Sequence, residues 1–115
     1  MVMRTILIHS DDHEFRTLIR GLISFEGISV IETDRRDELF RICRNNHFDK
    51  VITDDVRLFI NDTHAVEAIR QSRSNKIYIL SHSHSEHLVM SLLELGITQF
   101  LSLPIDLNRL YNKLL

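Results

Sequence analysis

The chain has 115 residues and a formal net charge of −2, with both signs of charge spread along its length. A domain of this size buries a core large enough to fold without disulfide bonds or a structural metal. There is no basic block typical of a nucleic-acid surface, and no apolar run approaches the roughly eighteen residues of a membrane span. The single cysteine, Cys43, excludes an internal disulfide framework and fits a reducing compartment. We therefore expect one cytoplasmic domain over residues 1–115, with no direct binding to nucleic acid or membrane.

Five short apolar runs, rich in Ile and Val, alternate with amphipathic segments. Apolar residues on both faces of such runs are typical of parallel strands buried between two layers of helices. The predicted strands are TILI (5–8), ISVI (28–31), KVIT (50–53), IYIL (77–80) and QFLSL (99–103).

Helical spacing of apolar residues fills the intervals between these runs. In the first interval, apolar residues follow the i, i+3, i+4, i+7, i+8 pattern of a helix face, at Phe15, Leu18, Ile19, Leu22 and Ile23. The predicted helices are 13–26, 35–46, 63–73, 85–96 and 106–115. N-caps are expected at Asp12 and Asp106, and at Thr33 or Asp34 for the second helix. Five strand–helix units in strict alternation predict an α/β domain with a doubly wound, five-stranded parallel sheet.

Pairs of carboxylates follow the first and third predicted strands. These are Asp11-Asp12 and Asp54-Asp55. In an open parallel sheet, ligands bind outside the carboxyl ends of the strands, so neighbouring strands would bring the two pairs together. Their repulsion must then be relieved by a cation, a raised pKa or a basic side chain. Mg²⁺ suits such a site because it prefers oxygen ligands.

The chain resembles, over essentially its whole length, the receiver domain of bacterial two-component response regulators, the CheY-like family. The segment ILIHSDDHEFR (6–16) matches the family's first strand, its acids and the basic residue that follows. VITDD (51–55) matches the end of the third strand and IYILS (77–81) the end of the fourth. GITQF (96–100) and the Leu103-Pro104 pair match the segments around the fifth strand.

The resemblance implies a flavodoxin-like fold with strand order 2-1-3-4-5 and a role for five residues. Asp54 is the candidate phosphate acceptor. Mg²⁺ would be held by Asp11, Asp54 and the backbone carbonyl of Val56. Ser81 would assist the phosphoryl transfer and, with Phe100, form the switch. The interpretation that Phe100 is simply a packed residue stays open.

The resemblance also implies binding partners and the conformation of one peptide bond. A sensor histidine kinase or another signalling protein is the expected partner. A homodimer is expected through the surface formed by the fourth and fifth predicted helices and the fifth strand. Beyond self-catalysed phosphotransfer at Asp54, no enzymatic activity is implied. A cis peptide bond is expected between Leu103 and Pro104.

Two departures from the family pattern concern the phosphotransfer site. Ser10 stands where the family has the first of its two acids, and Leu103 stands where it has a lysine. The loop after the third strand also has Leu58 and Asp62 where the family has Pro and Gly. These departures predict a weakened Mg²⁺ site. Two functions stay open: a divergent receiver with impaired phosphorylation, and a pseudo-receiver that binds a partner without phosphorylation.

Three further features have simpler interpretations than their residue types suggest. The histidine-rich segment 82–87 has the residue types of a transition-metal site, but its spacing favours a polar, solvated loop. Asp55 is expected to be solvated or to cap a helix, because alternation along a strand points it away from Asp54. Cys43 is expected to be a small core residue.

Overall fold

A computed structural model describes residues 4–61, 64–71, 76–82, 85–97 and 99–114. Its five strands are all parallel and form one sheet in the order β2-β1-β3-β4-β5. This confirms the α/β fold and the strand order that the family resemblance implied. The strands are β1 (Arg4–His9), β2 (Ile28–Thr33), β3 (Lys50–Thr53), β4 (Lys76–Ser81) and β5 (Gln99–Ser102).

The described part of the chain contains six helices rather than the five predicted. A short helix directly after β3 was not predicted, since six residues are too few to show a helical period. Its residues Leu58 and Phe59 are buried. The helices are α1 (His13–Ile23), α2 (Arg36–Asn45), α3 (Val56–Asn61), α4 (His64–Gln71), α5 (Glu86–Glu94) and α6 (Leu107–Leu114). The fourth and fifth predicted helices are therefore α5 and α6.

The predicted N-caps are correct for α1 and α6 and wrong for α2. Carboxylate oxygens of Asp12 and Asp106 accept backbone N–H groups in the first turns of α1 and α6. At α2 the N-cap position is Arg35, whose side chain makes no capping hydrogen bond. Thr33 does not cap α2 because it is the last residue of β2 and its hydroxyl lies against a buried histidine. Asp34 is exposed.

Buried side chains of the sheet alternate between two apolar layers. On one face, α2, α3, α4 and α5 pack over a cluster that includes Leu7, Val51 and Ile79. On the other face, α1 and α6 pack over a cluster that includes Ile6 and Ile52. The thiol of Cys43 belongs to the first cluster, and burial raises its pKa to about 11. The prediction that Cys43 is a core residue is confirmed.

The apolar stripes of α1 and α6 are only partly covered. Leu18 and Leu107 were predicted to face the core, but their side chains are 47% and 52% exposed. The sheet covers only the centre of each stripe, which is where Ile19 and Leu110 are buried. Val66, predicted to lie on the apolar face of its helix, has a side chain outside the described residues.

The histidine-rich segment 82–87 lies only partly within the described residues. His82, Glu86 and His87 are exposed, and Ser85 caps α5 by accepting from Leu88 N. His84 lies outside the described residues. Over the ranges that the structure describes, no three His, Cys, Asp or Glu side chains are grouped so as to hold a metal ion. No described helix is both long and apolar enough to cross a membrane.

Candidate functional site

A cleft of about 880 Å³ lies at the carboxyl ends of the strands. It is lined by residues that follow β1, β2, β3 and β4, together with one side chain of α5. Asp11, Asp54, Val56 and Ser81 all line it, so the structure brings the predicted catalytic and metal-binding residues together. Phe100, predicted as a switch residue, lies instead on β5 and packs against the first apolar cluster.

Strand pairing explains how the two acidic segments converge. β1 pairs with β3 in a register that sets His9 opposite Thr53. The residues that follow each strand, with Asp11 on one side and Asp54 on the other, therefore leave the sheet side by side. Ser81 ends β4, which is the next neighbour of β3. The chemistry of the cleft thus depends on strand order, as expected for a parallel sheet.

Ser10 is fully buried beside Asp54. Its hydroxyl oxygen accepts a hydrogen bond of 2.9 Å from Asp12 N. The same hydroxyl lies close enough to the Asp54 carboxylate to lower the pKa of that group. Its backbone is held by Thr33 O and by the guanidinium of Arg16. A neutral hydrogen-bond donor is therefore fixed where the family pattern has a carboxylate.

The environment of Asp54 disfavours its ionised form. Burial raises the pKa of Asp54, and the negative charges of Asp11 and Asp12 raise it further. The hydrogen bond from Ser10 and one from the backbone oppose this but do not cancel it. Repulsion from the carboxylates of Asp11 and Asp12 therefore disfavours the ionised form of Asp54.

The oxygen donors present fit a hard divalent cation. The exposed carboxylate of Asp11, the half-buried carboxylate of Asp54 and the carbonyl of Val56 are of the type that Mg²⁺ prefers. The Ser10 hydroxyl accepts a hydrogen bond from Asp12 N and carries no charge. Asp12 cannot fully replace the missing carboxylate, because one of its oxygens caps α1. The donor set therefore fits Mg²⁺ with one carboxylate fewer than the family pattern supplies.

The basic residue of the family pattern has no equivalent at position 103. The Leu103 side chain packs against the apolar cluster under α1 and α6. Its peptide bond to Pro104 is cis, which confirms the expectation. The arginines that line the cleft are Arg36 and Arg57, from the β2 and β3 sides. Positive charge in the cleft thus comes from residues that follow β2 and β3, whereas the family pattern has its lysine after β5.

A buried polar network beside the acidic residues was missed by sequence reasoning. The His9 side chain is 3% exposed, with Nδ1 2.9 Å from Thr33 Oγ1 and Nε2 3.4 Å from Asp55 Oδ2. Arg36 donates from Nε and from a terminal nitrogen to the two oxygens of Asp55, each at 3.1 Å. The available signal was a histidine at the end of an otherwise apolar strand. Such a residue needs a buried partner.

Asp55 is a structural residue within this network. Its carboxylate accepts a hydrogen bond of 3.3 Å from Leu58 N in the first turn of α3, so the predicted capping role is confirmed. The alternative of a solvated side chain is wrong, because Asp55 is 22% exposed and bonded to His9 and Arg36. Asp55 therefore joins β1, α2 and α3 in the cleft that Asp11, Asp54 and Ser81 also line.

The charges of the network are set by burial and by the arginine. Burial lowers the pKa of His9, and the charge of Asp55 only partly offsets this. Burial alone would raise the pKa of Asp55, but Arg36 and His9 outweigh it and hold that pKa below its ordinary value. At neutral pH an ionised Asp55 accepts a hydrogen bond from Nε2–H of a neutral His9, and Nδ1 accepts one from the Thr33 hydroxyl.

We predict that the free energy of unfolding falls as the pH drops below about 6.5. The folded pKa of His9 lies below its ordinary value of 6.5, so the unfolded chain binds the proton at higher pH. This stability is present above 6.5 and is lost between 6.5 and the folded pKa. The contribution of Asp55, whose pKa is lowered from 3.8, is lost only in more acidic solution.

Urea denaturation at several pH values from about 8 to about 5 measures this slope. The variant His9→Gln should show a shallower slope than the wild type, because it removes the titrating group. His87→Gln, which changes an exposed histidine, is the matched control and should keep the wild-type slope. An unchanged slope in His9→Gln would show that other groups cause the pH dependence.

Comparison with known proteins is consistent with this geometry. The chain is similar to the chemotaxis response regulator CheY4 of Vibrio cholerae, with a TM-score of 0.80 and 21% identity over 98% of this chain and 97% of that one. It is similar to the non-phosphorylated HemR receiver domain of Leptospira biflexa, with a TM-score of 0.77 and 22% identity over 96% and 90% of the two chains.

A third similar structure is a response regulator from Burkholderia pseudomallei with a phosphorylated aspartic acid, a calcium ion and citrate. Its TM-score is 0.77 at 16% identity, over 97% of this chain and 66% of that one. These likenesses establish the fold. The sequence model of the response regulator receiver domain matches residues 6–115. The chain therefore belongs to the receiver domains of two-component response regulators, as a member with low identity to the three structures above.

Proposed function

We propose that this receiver domain accepts a phosphoryl group at Asp54, and does so more slowly than the family pattern would allow. Receiver domains are in general signalling domains without enzymatic turnover, typically bind Mg²⁺ at the phosphorylation site, and interact with histidine kinases or other signalling proteins. The observation that carries the proposal is the convergence of Asp11, Asp54, Val56 and Ser81 in one cleft.

The proposed chemistry is a direct transfer to a carboxylate. An Oδ atom of Asp54 forms a bond to phosphorus while the bond from phosphorus to the donor breaks, and the electron pair leaves with the donor. Ser81 would donate its hydroxyl proton in a hydrogen bond to a phosphoryl oxygen. A bound Mg²⁺ would supply the positive charge that lets two carboxylates and a phosphoryl group lie together.

Two substitutions support a reduced rate. Ser10 removes one carboxylate from the metal site, and Leu103 removes a cation that would bond the phosphoryl oxygens. A hydrogen bond between charged groups contributes about 1.5–3 kcal/mol, which corresponds to roughly ten- to a hundredfold in rate or in equilibrium. Phosphorylation without a kinase is therefore expected to be slow but measurable.

Incubation with Mg²⁺ and acetyl phosphate, followed by intact mass measurement, tests the proposal. We expect the wild type to gain the mass of one phosphoryl group slowly, and Asp54→Asn to gain none. Rapid and complete modification would contradict the reduced rate. Without modification even at high donor and metal concentrations, the proposed acceptor role of Asp54 fails.

The second candidate function is that of a pseudo-receiver, a protein-binding module that needs no phosphorylation. Ser10 and Leu103 favour it, because each replaces a charged group of the phosphotransfer site with a neutral one. Exposed apolar side chains offer a surface for the partner: Met90 and Leu93 on α5, with Leu107 and Tyr111 on α6.

Partner, oligomeric state and location belong to the same proposal. We propose a sensor histidine kinase or another signalling protein as the partner. A homodimer through the α5-β5-α6 surface, which contains Phe100, stays a prediction, as does the role of Phe100 as a switch. The proposed location is the cytoplasm, where histidine kinases donate phosphoryl groups to receiver domains.

A further inference from the structure

We propose that Arg57 supplies the positive charge that binds the phosphoryl group, in place of the lysine that position 103 lacks. This inference rests on the proposed phosphorylation of Asp54 and adds a binding residue to that site. It identifies Arg57 as a residue that touches the transferred group.

The position of Arg57 is the first line of evidence. Arg57 lies three residues after Asp54, in the first turn of α3, and lines the same cleft as Asp54 and Ser81. Its side chain is exposed, and within the described part of the chain it makes no ion pair. The first turn of α3 contains no acidic residue that would bond it along the helix. The guanidinium is therefore available to an anion that enters the cleft.

The other basic residues near the cleft are already engaged. Arg36 directs two hydrogen bonds to Asp55. Arg16 donates to Ser10 O, and its Nε lies 3.5 Å from Glu32 Oε1.

The lysines of the sheet are too far away to substitute. Lys50 and Lys76 are the first residues of β3 and β4. They therefore lie at the amino ends of these strands, whereas Asp54 follows the carboxyl end of β3. Lys50 is further held by a hydrogen bond to Leu114 O. Among the basic residues considered, Arg57 alone combines access to the cleft with an unoccupied guanidinium.

The chemistry of guanidinium suits this task. Two N–H groups of Arg57 would bond two phosphoryl oxygens that do not take part in the transfer, in the fork geometry that arginine makes with phosphates. Asp54 Oδ still forms the new bond to phosphorus, and the donor still leaves with the electron pair. Arg57 gains and loses no proton. It stabilises the charge on the transferring group, which a leucine at position 103 cannot do.

The test compares Arg57→Gln with the wild type under Mg²⁺ and acetyl phosphate. We expect the rate of phosphoryl gain to fall about tenfold, and Arg57→Lys to recover part of the loss. Affinity for beryllofluoride, a phosphoryl analogue, should fall by a similar factor. Mg²⁺ affinity and melting temperature should be unchanged, because the Arg57 side chain is exposed and the substitution keeps the backbone carbonyl of Val56. The matched control is Arg41→Gln, an exposed arginine on α2, which should behave as the wild type.

The possible outcomes separate this inference from the proposed function. If the wild type is modified at Asp54 and Arg57→Gln matches its rate and its beryllofluoride affinity, Arg57 has no role and the inference fails alone. If the wild type is not modified, the proposed function fails and the inference fails with it. If Arg57→Gln is modified more slowly and its melting temperature is also below that of the wild type, Arg57 has a structural role instead.

A double substitution provides a second measurement. In the background Leu103→Lys, a lysine shares the phosphoryl oxygens, so Arg57→Gln should cost clearly less than it does in the wild type. Equal costs in both backgrounds would show that Arg57 and residue 103 do not act on the same group.

Discussion

Asp55→Ala is expected to lower the free energy of unfolding by about 2–4 kcal/mol. The substitution removes three interactions at once. It leaves Nε2–H of the buried His9 without its acceptor, removes both hydrogen bonds from Arg36, and removes the cap at Leu58 N. An unsatisfied buried donor costs about 1–3 kcal/mol, and a lost helix cap about 1 kcal/mol. Asp55 is half-buried in a cleft, so water recovers part of this loss.

Urea denaturation at pH 7 measures the effect, on the assumption of a two-state transition. Asp55→Asn keeps an acceptor oxygen and should cost less than Asp55→Ala. Asp34→Ala is the matched control, because Asp34 is an exposed aspartate that lines the same cleft. It should change stability by less than about 0.5 kcal/mol. Equal stabilities of Asp55→Ala and Asp34→Ala would mean that the His9–Asp55–Arg36 network contributes nothing.

Leu103→Lys is expected to accelerate phosphorylation by acetyl phosphate about ten- to a hundredfold. The substitution adds a cation at a residue whose backbone N–H bonds to Ser81 O, and a hydrogen bond between charged groups contributes about 1.5–3 kcal/mol. The lysine can keep its apolar stem against the cluster under α1 and α6 while the ammonium reaches the cleft.

The rate of phosphoryl gain by intact mass, at one fixed Mg²⁺ concentration, is the measurement. Leu107→Lys, at an exposed leucine of α6, controls for added positive charge on the protein surface and should leave the rate unchanged. An equal rise in both variants would show a general effect of net charge. If Leu103→Lys has the wild-type rate, the missing lysine does not limit the reaction. The slow phosphorylation would then be caused by Ser10 and the weakened metal site.

Most of the fold was accessible from the sequence because the relevant signals are local. Runs of Ile and Val with apolar residues on both faces predict buried parallel strands, and Asp12 and Asp106 mark helix starts by capping. The α3 helix was missed because six residues do not show a period. The exposure of Leu18 and Leu107 was missed because the spacing of apolar residues along a helix does not show how much of that apolar face the sheet covers.

Part of the candidate site could also be predicted from the sequence, but by resemblance to a family and not from local signals. Asp11, Asp54 and Ser81 were found because their order along the chain resembles a family, whereas their convergence requires β1, β3 and β4 to be neighbours. The role of Asp55 was only half predicted. Alternation along the strand predicted that it points away from Asp54, but not that His9 and Arg36 contact it.

The sequence by itself determined the class of fold, the acids and the hydroxyl of the candidate site, and the departures from the family pattern at positions 10 and 103. Only the tertiary structure shows which groups stand near Asp54: the buried hydroxyl of Ser10, and Arg57, which lines the same cleft. The physical reason is that composition and periodicity act between residues close in the chain. Charge compensation and hydrogen bonding in a cleft act between residues that the strand order brings together.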